Sequence, residues 1–167
     1  HNAHRRQRQM CIRDSLDEFD NILITKTFSK IQGLASLRIG YGIASMELCN
    51  ILNKIRQPFN ANFLAQIAAI KAIDDHEHIK KSRELNSSER CRLQESLESL
   101  GMECIESQGN FIAFKGSFNA DEMFLSLMKE GVIVRPIGLY DMPDFLRVTI
   151  GKPEENDYFI NHLSKLL

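Results

Sequence analysis

Four residue types in one short stretch can hold an aldehyde and a phosphate at the same time. Thr27-Phe28-Ser29-Lys30 is followed by Ile31-Gln32-Gly33-Leu34-Ala35-Ser36-Leu37-Arg38, so a lysine flanked by hydroxyls stands eight residues before an arginine. The apolar run Asn21-Ile22-Leu23-Ile24-Thr25 before it reads as a buried strand, and Leu37 to Ala44 reads as a second. The lysine therefore belongs on a tight turn at a strand end. A primary amine there can condense with an aldehyde, while hydroxyls, turn amides and a guanidinium can hold a phosphate dianion.

Two more arginines stand in apolar strands, where an unpaired charge is costly. Arg147 lies in Phe145-Leu146-Arg147-Val148-Thr149-Ile150, and Arg135 in Val132-Ile133-Val134-Arg135-Pro136. An internal salt bridge or an anionic ligand would satisfy Arg147. Asn110, after Gln108-Gly109, caps a turn or orients the mouth of a site. His76, His78 and His162 sit among charges on helices and read as surface residues. Tyr41 and Tyr140 have no context that makes them catalytic.

The elements that position these groups follow from periodicity and punctuation. Ser45 suits the N-cap of a helix over Met46 to Arg56, which Pro58 follows. Leu64, Ile67, Ala68, Ile70 and Ile73 continue at helical spacing. His76 to Leu100 fits one long amphipathic helix, with an interruption expected near Asn86-Ser87-Ser88 and a stop at Gly101. Short strands are expected over Met102 to Glu106, Asn110 to Lys115, Val132 to Arg135 and Phe145 to Ile150. Asn119 and Glu122 form a capping-box pattern for a helix that Gly131 ends, and Pro153 opens the last helix with Glu154 and Glu155 in its first turn. This mixed order predicts an α/β body with a small C-terminal domain.

Bulk properties exclude several classes. The chain has 167 residues, 43% hydrophobic and 26% charged, with a net charge of −1. That is a globular composition with no broad basic field for nucleic acid or anionic lipid. No apolar run reaches membrane-spanning length, and no apolar secretory core stands near the beginning. The cysteines at 11, 49, 91 and 104 form no CxxC and no zinc-ligand spacing, so no metal site is expected and reduced thiols are. No GxxxxGK[ST] or GxGxxG occurs. Residues 1–14 carry four arginines and little periodicity. A basic arm and a disordered tail are alternatives, but the string resembles translated adapter sequence and is not expected to belong to the fold.

The string Thr27, Phe28, Ser29, Lys30, Gly33, Leu34, Ala35, Leu37, Arg38, Gly40 and Tyr41 resembles the cofactor-lysine motif of the fold-type-I aminotransferases that use pyridoxal 5'-phosphate (PLP). It is most similar to the histidinol-phosphate branch, where Thr-Phe-Ser-Lys-x-x-Gly-Leu-Ala-x-Leu-Arg-x-Gly-Tyr is typical. Ile31 departs from a usually small residue, and Ser36 from a frequent glycine. Pro58-Phe59-Asn60-Ala61-Asn62 and Leu146-Arg147-Val148-Thr149-Ile150-Gly151 also match family patterns.

The resemblance implies roles. Lys30 anchors PLP and, once substrate displaces it, moves a proton at the substrate's alpha carbon. Arg38 pairs the cofactor phosphate, with Ser29 and Thr27 as neighbouring hydroxyls, though Thr27 also suits plain strand packing. Arg147 grips the substrate alpha-carboxylate, and Arg135 helps bind a substrate phosphate. The resemblance covers Leu16 to Leu167 and implies the C-terminal part of such a transferase. Residues 15–56 are expected to end the large domain, 57–85 to form a helical connector, and 86–167 to form the small domain. The family supplies further cofactor contacts from the half before the lysine, so a truncated reading frame is expected. The implied activity is transamination between histidinol phosphate and 2-oxoglutarate in a cytoplasmic homodimer, acting on small amino and 2-oxo acids. The alternatives are another aminotransferase, for aromatic or aliphatic amino acids, a threonine-phosphate decarboxylase, or a catalytically inactive fragment.

Overall fold

The computed structural model describes residues 14–167. The expectation for residues 1–14 falls, apart from Asp14, outside that range. The chain divides into two compact units, His1–Ile79 and Lys80–Leu167.

In the first unit, β1 (Leu23–Thr27) pairs antiparallel with β2 (Gly40–Ala44), running from Leu23 opposite Ala44 to Thr27 opposite Gly40. A 3-10 turn at Ala35–Leu37 lies between them. Two helices follow, α1 (Met46–Ile55) and α2 (Phe63–Asp74). Ser45 caps the first by accepting the Leu48 amide, and Asn62 caps the second by accepting the Ala65 amide, each satisfying a donor the helix itself leaves open. The expectation that β1 is buried is not met: of Leu23–Thr27 only Ile24 is even half-buried. Among the described residues the strand pairs only with β2, and Leu23 stays 42% exposed. The second strand starts at Gly40, not Leu37, because the 3-10 turn takes up the residues between.

The helix α3 (His76–Ser99) begins at the end of the first unit and supplies the second with Leu93 and Leu97, both fully buried. No interruption occurs at 86–88. Asn86 Nδ2 donates to the Gly109 carbonyl at 3.0 Å and Ser88 Oγ to the Leu85 carbonyl at 3.1 Å, so these polar side chains are satisfied without breaking the helix.

The second unit is a four-stranded antiparallel sheet, ordered β3 (Glu103–Cys104), β4 (Phe111–Lys115), β6 (Leu146–Thr149), β5 (Arg135–Pro136). Helices α4 (Ala120–Lys129) and α5 (Pro153–Leu166) complete it. Ile112 and Phe114 on β4 pair with Val148 and Leu146 on β6. These four meet Leu93, Leu97, Met123, Leu127, Phe159 and Leu163 from the helices in one core. The alternate residues Phe111, Ala113, Arg147 and Thr149 occupy the other face.

Both α3 and α4 end in the same way. Gly101 (φ 81°) and Gly131 (φ 78°) adopt the left-handed conformation. Met102 N–H returns to the Leu97 carbonyl and Val132 N–H to the Leu127 carbonyl, closing paired Schellman motifs. The second motif explains why no strand starts at Val132: its amide is spent on the helix end, and pairing begins only at Arg135. Asn119 caps α4 by accepting the Asp121 and Glu122 amides, and Glu155 accepts the Lys152 amide at 2.7 Å at the start of α5. No helix among the described residues is long and apolar enough to cross a membrane.

Candidate active site

The hairpin between β1 and β2 presents the lysine. Phe28 N–H donates to the Ile39 carbonyl at 3.3 Å, extending the ladder one step past Thr27 and Gly40. Ser29 and Arg38 are the residues that follow this last ladder bond on the loop side, one on each strand. Beyond them the chain turns: Gly33 N–H donates to the Lys30 carbonyl at 2.9 Å, with Gly33 at φ 71°, and Leu34 N–H returns to the Phe28 carbonyl at 2.9 Å. Phe28 anchors the loop, 3% exposed, its ring 5.5 Å from that of Tyr41. Close approach at the base requires glycine at position 40, where a Cβ would stand 2.6 Å from the Lys26 carbonyl oxygen.

The polar groups of this loop form a defined donor set. Thr27 Oγ1 accepts the Ser29 amide at 3.0 Å and donates its proton to Ser29 Oγ at 2.8 Å. That leaves the Ser29 hydroxyl proton available to another acceptor. Lys30 is exposed and its ammonium has no partner among the described residues. Arg38 is exposed, at φ 52°, and donates Nη1–H to the Ala35 carbonyl at 2.8 Å. Its other N–H groups remain for an anion. An unpartnered primary amine, a donating hydroxyl and a guanidinium fit a ligand that carries both an aldehyde and a phosphate ester.

Two loop features are not evident from the sequence. His78 Nε2 lies 2.9 Å from the Ile31 carbonyl oxygen, so this exposed histidine is tied to the lysine turn. Gln32 Oε1 is buried with no hydrogen-bond partner among the described residues. Nothing local signals the first, because the two residues are 47 positions apart. The second turns on packing that no spacing encodes.

The remaining candidates share a ladder in the second unit. Arg135 stands directly opposite Arg147, which also stands opposite Ala113. Like charges in that position repel, and neither guanidinium has a carboxylate partner among the described residues. Arg147, half-buried, places its Cζ 4.9 Å from the centre of the Phe111 ring, a cation–π contact and not an internal salt bridge. Arg135 is exposed. On the same face Lys115 pairs with Glu103 at 3.0 Å. Two arginines paired across neighbouring strands of one sheet face, neither with a carboxylate partner among the described residues, are suited to oxyanions. Thus Thr27, Ser29, Lys30 and Arg38 share one hairpin, and Arg135 and Arg147 share one sheet. Among the described residues no group of three or more His, Cys, Asp or Glu can hold a metal ion.

The profile of the family "Aminotransferase class I and II" matches residues 3–163. The chain belongs to the class I and II aminotransferase family. Histidinol-phosphate aminotransferase 2 of Pseudomonas aeruginosa is 49% identical over 154 residues, which cover 92% of this chain and 42% of that relative. Among solved structures, the histidinol-phosphate aminotransferase of Clostridium acetobutylicum superposes with a TM-score of 0.83 at 25% identity, covering 92% of this chain and 48% of its own. That of Sinorhizobium meliloti, solved in complex with pyridoxal-5'-phosphate, gives 0.80 at 26% identity, covering 88% and 41%. The chain therefore spans about two fifths of the length of the curated relative it matches. The α/β architecture expected of part of a fold-type-I aminotransferase is the one found.

Proposed function

We propose that the protein is part of a PLP-dependent histidinol-phosphate aminotransferase, which exchanges an amino group between histidinol phosphate and 2-oxoglutarate in histidine biosynthesis. One observation carries this reading: a Lys30 amine with no partner among the described residues, on a turn that leaves the hairpin ladder beside Ser29 and Arg38. Its relatives' names and the PLP complex of one of them support it. When bound, PLP would supply an electron sink for carbanionic chemistry at the substrate's alpha carbon. Lys30 would anchor the aldehyde and move the proton at that carbon. Ser29 and Arg38 would hold the phosphate, with Thr27 orienting the Ser29 hydroxyl. Arg147 would bind the substrate carboxylate and Arg135 a substrate phosphate, an arrangement in which an anion between them relieves their mutual repulsion. The setting proposed is a cytoplasmic homodimer, with residues 15–56 ending the large domain, 57–85 as connector and 86–167 as small domain.

The test is titration of the purified chain with PLP, followed by borohydride trapping and peptide mapping, with Lys30→Ala as control. The expected result is a label on Lys30 that the alanine variant lacks. Label spread over surface lysines with no preference for Lys30 would refute the cofactor role. In the full-length enzyme, Arg135→Ala is expected to weaken phosphorylated substrates about tenfold or more relative to unphosphorylated ones, the loss of one charge-assisted contact. Equal weakening of both would remove the phosphate assignment.

A further inference from the structure

Among the described residues, a side chain from outside the hairpin, His78, reaches the lysine turn. A carbonyl oxygen can only accept, so His78 Nε2 must carry a proton and donate it to Ile31. His78 is itself held in place. The Asp75 carboxylate accepts the His78 amide at 2.9 Å, and the Asp75 carbonyl accepts the Ile79 amide at 3.1 Å. Asp75 thus caps α3 and fixes the first turn from which the imidazole reaches out.

The atom it reaches is a sensitive one. Lys30 to Gly33 form a four-residue turn closed by the bond from Gly33 N–H to the Lys30 carbonyl. The peptide between the two central residues, Ile31 and Gln32, is the one whose orientation distinguishes type I from type II turns. Neither backbone bond of the loop restrains it, since these end on the carbonyls of Lys30 and Phe28. The histidine contact is made to the carbonyl of that central peptide.

We propose that His78 is a positioning residue for Lys30: by holding the Ile31 carbonyl it locks one orientation of the turn that presents the amine. Its consequence for cofactor capture rests on the proposed role of Lys30 as PLP anchor, whereas the restraint on the turn does not.

Isosteric and apolar replacements separate donation from bulk. Gln places an N–H where His Nε2 stands, Glu of the same shape offers only acceptors, and Leu offers neither. Glu is also favoured in the first turn of a helix, so its effect does not come from a weakened helix start. Amide hydrogen exchange of the full chain reads the turn at Gly33 and Leu34, with Gly131 and Val132 of the second unit as internal reference. His78→Glu and His78→Leu are expected to speed exchange at Gly33 and Leu34 roughly three- to tenfold, the span of one net hydrogen bond. His78→Gln should stay within about twofold of the parent, and the reference amides should not move. No acceleration in either non-donor overturns the proposal. So does acceleration by all three variants alike, or an equal rise at the reference amides. PLP trapping adds a second reading: slower labelling of Lys30 in His78→Leu, restored in His78→Gln, is expected. If the parent takes no label while the exchange contrast holds, the cofactor reading falls and the clamp stands. Label in the parent with no contrast between variants overturns the clamp alone.

Discussion

The two units of this chain are stabilised by different means. The second buries Phe114, Leu93, Leu97, Ile112, Leu127, Leu146 and Leu163 completely, giving one continuous core between sheet and helices. In the first, among the described residues, only Phe28, Ala65 and Ala69 are buried. Large apolar side chains such as Phe59 (97% exposed), Phe63, Leu64 and Ile70 stay in water there and contribute no burial energy. The lysine hairpin is held by backbone register, one buried aromatic ring and glycine geometry. The arginine sheet is held by packing. Disturbing the two regions should therefore have consequences of different reach.

The largest effect is expected from matched deletions of a buried ring. Phe114→Ala should cost about 3–5 kcal/mol and lower amide protection throughout the second unit. Phe28→Ala should loosen the hairpin amides and leave that protection unchanged. Equal loss in the second unit from both variants would show that the units do not differ in this way. Next come the glycines. Gly40→Ala drives a Cβ against the Lys26 backbone, and about 1–3 kcal/mol of overpacking should open the hairpin. Gly131 has open space around its missing Cβ but needs positive φ. Gly131→Ala should cost about 1–2 kcal/mol, and Gly131→Asn should recover much of it because Asn tolerates that conformation. Denaturation of these variants and of Gly40→Asn checks both, and rescue of position 40 by Asn would contradict the steric argument.

The smallest effect is a pH dependence confined to the second unit. Glu89, buried at 6% exposure, is held below the usual carboxylate value of 4.5 chiefly by its hydrogen bonds to the Arg92 guanidinium, against the cost of burial and with help from Asn156. A carboxyl lowered on folding contributes stability above pH 4.5 that is lost as pH falls through its lower folded value. Arg92 is two-fifths exposed, so screening limits the contribution to about 1 kcal/mol or less. Acid titration of the thermal midpoint should show this loss, and Glu89→Gln should flatten it. An unchanged acid limb in that variant would place the pH dependence elsewhere.

What the sequence revealed depended on how local the cause was. The lysine turn, the caps at Ser45 and Asn119, and the stops at Gly101 and Gly131 are set by residues within a few positions, and all were legible; the cap at Asn62 is equally local but was not singled out. The start of β5 was misplaced because Val132 looked like a strand residue while its amide closed the preceding helix. The burial of β1 was misjudged because an apolar run shows that a strand can be covered, not that a cover is present. The interruption of α3 was expected from Asn86-Ser87-Ser88, but a carbonyl 23 residues away in sequence satisfies Asn86. The link from His78 to Ile31 and the cation–π seat of Arg147 are tertiary and left no local trace. Arg135 and Arg147 were singled out separately, yet only the strand register makes them neighbours.

The left-handed conformation of Arg38 has a consequence for how the hairpin can change over generations. Glycine at this position would remove about 1–2 kcal/mol of backbone strain, and with it the guanidinium proposed to hold a phosphate. Selection for stability alone would drive the position toward glycine, whereas selection for anion binding would keep arginine there. The sequence best suited to the fold at position 38 is thus not the one best suited to the proposed chemistry.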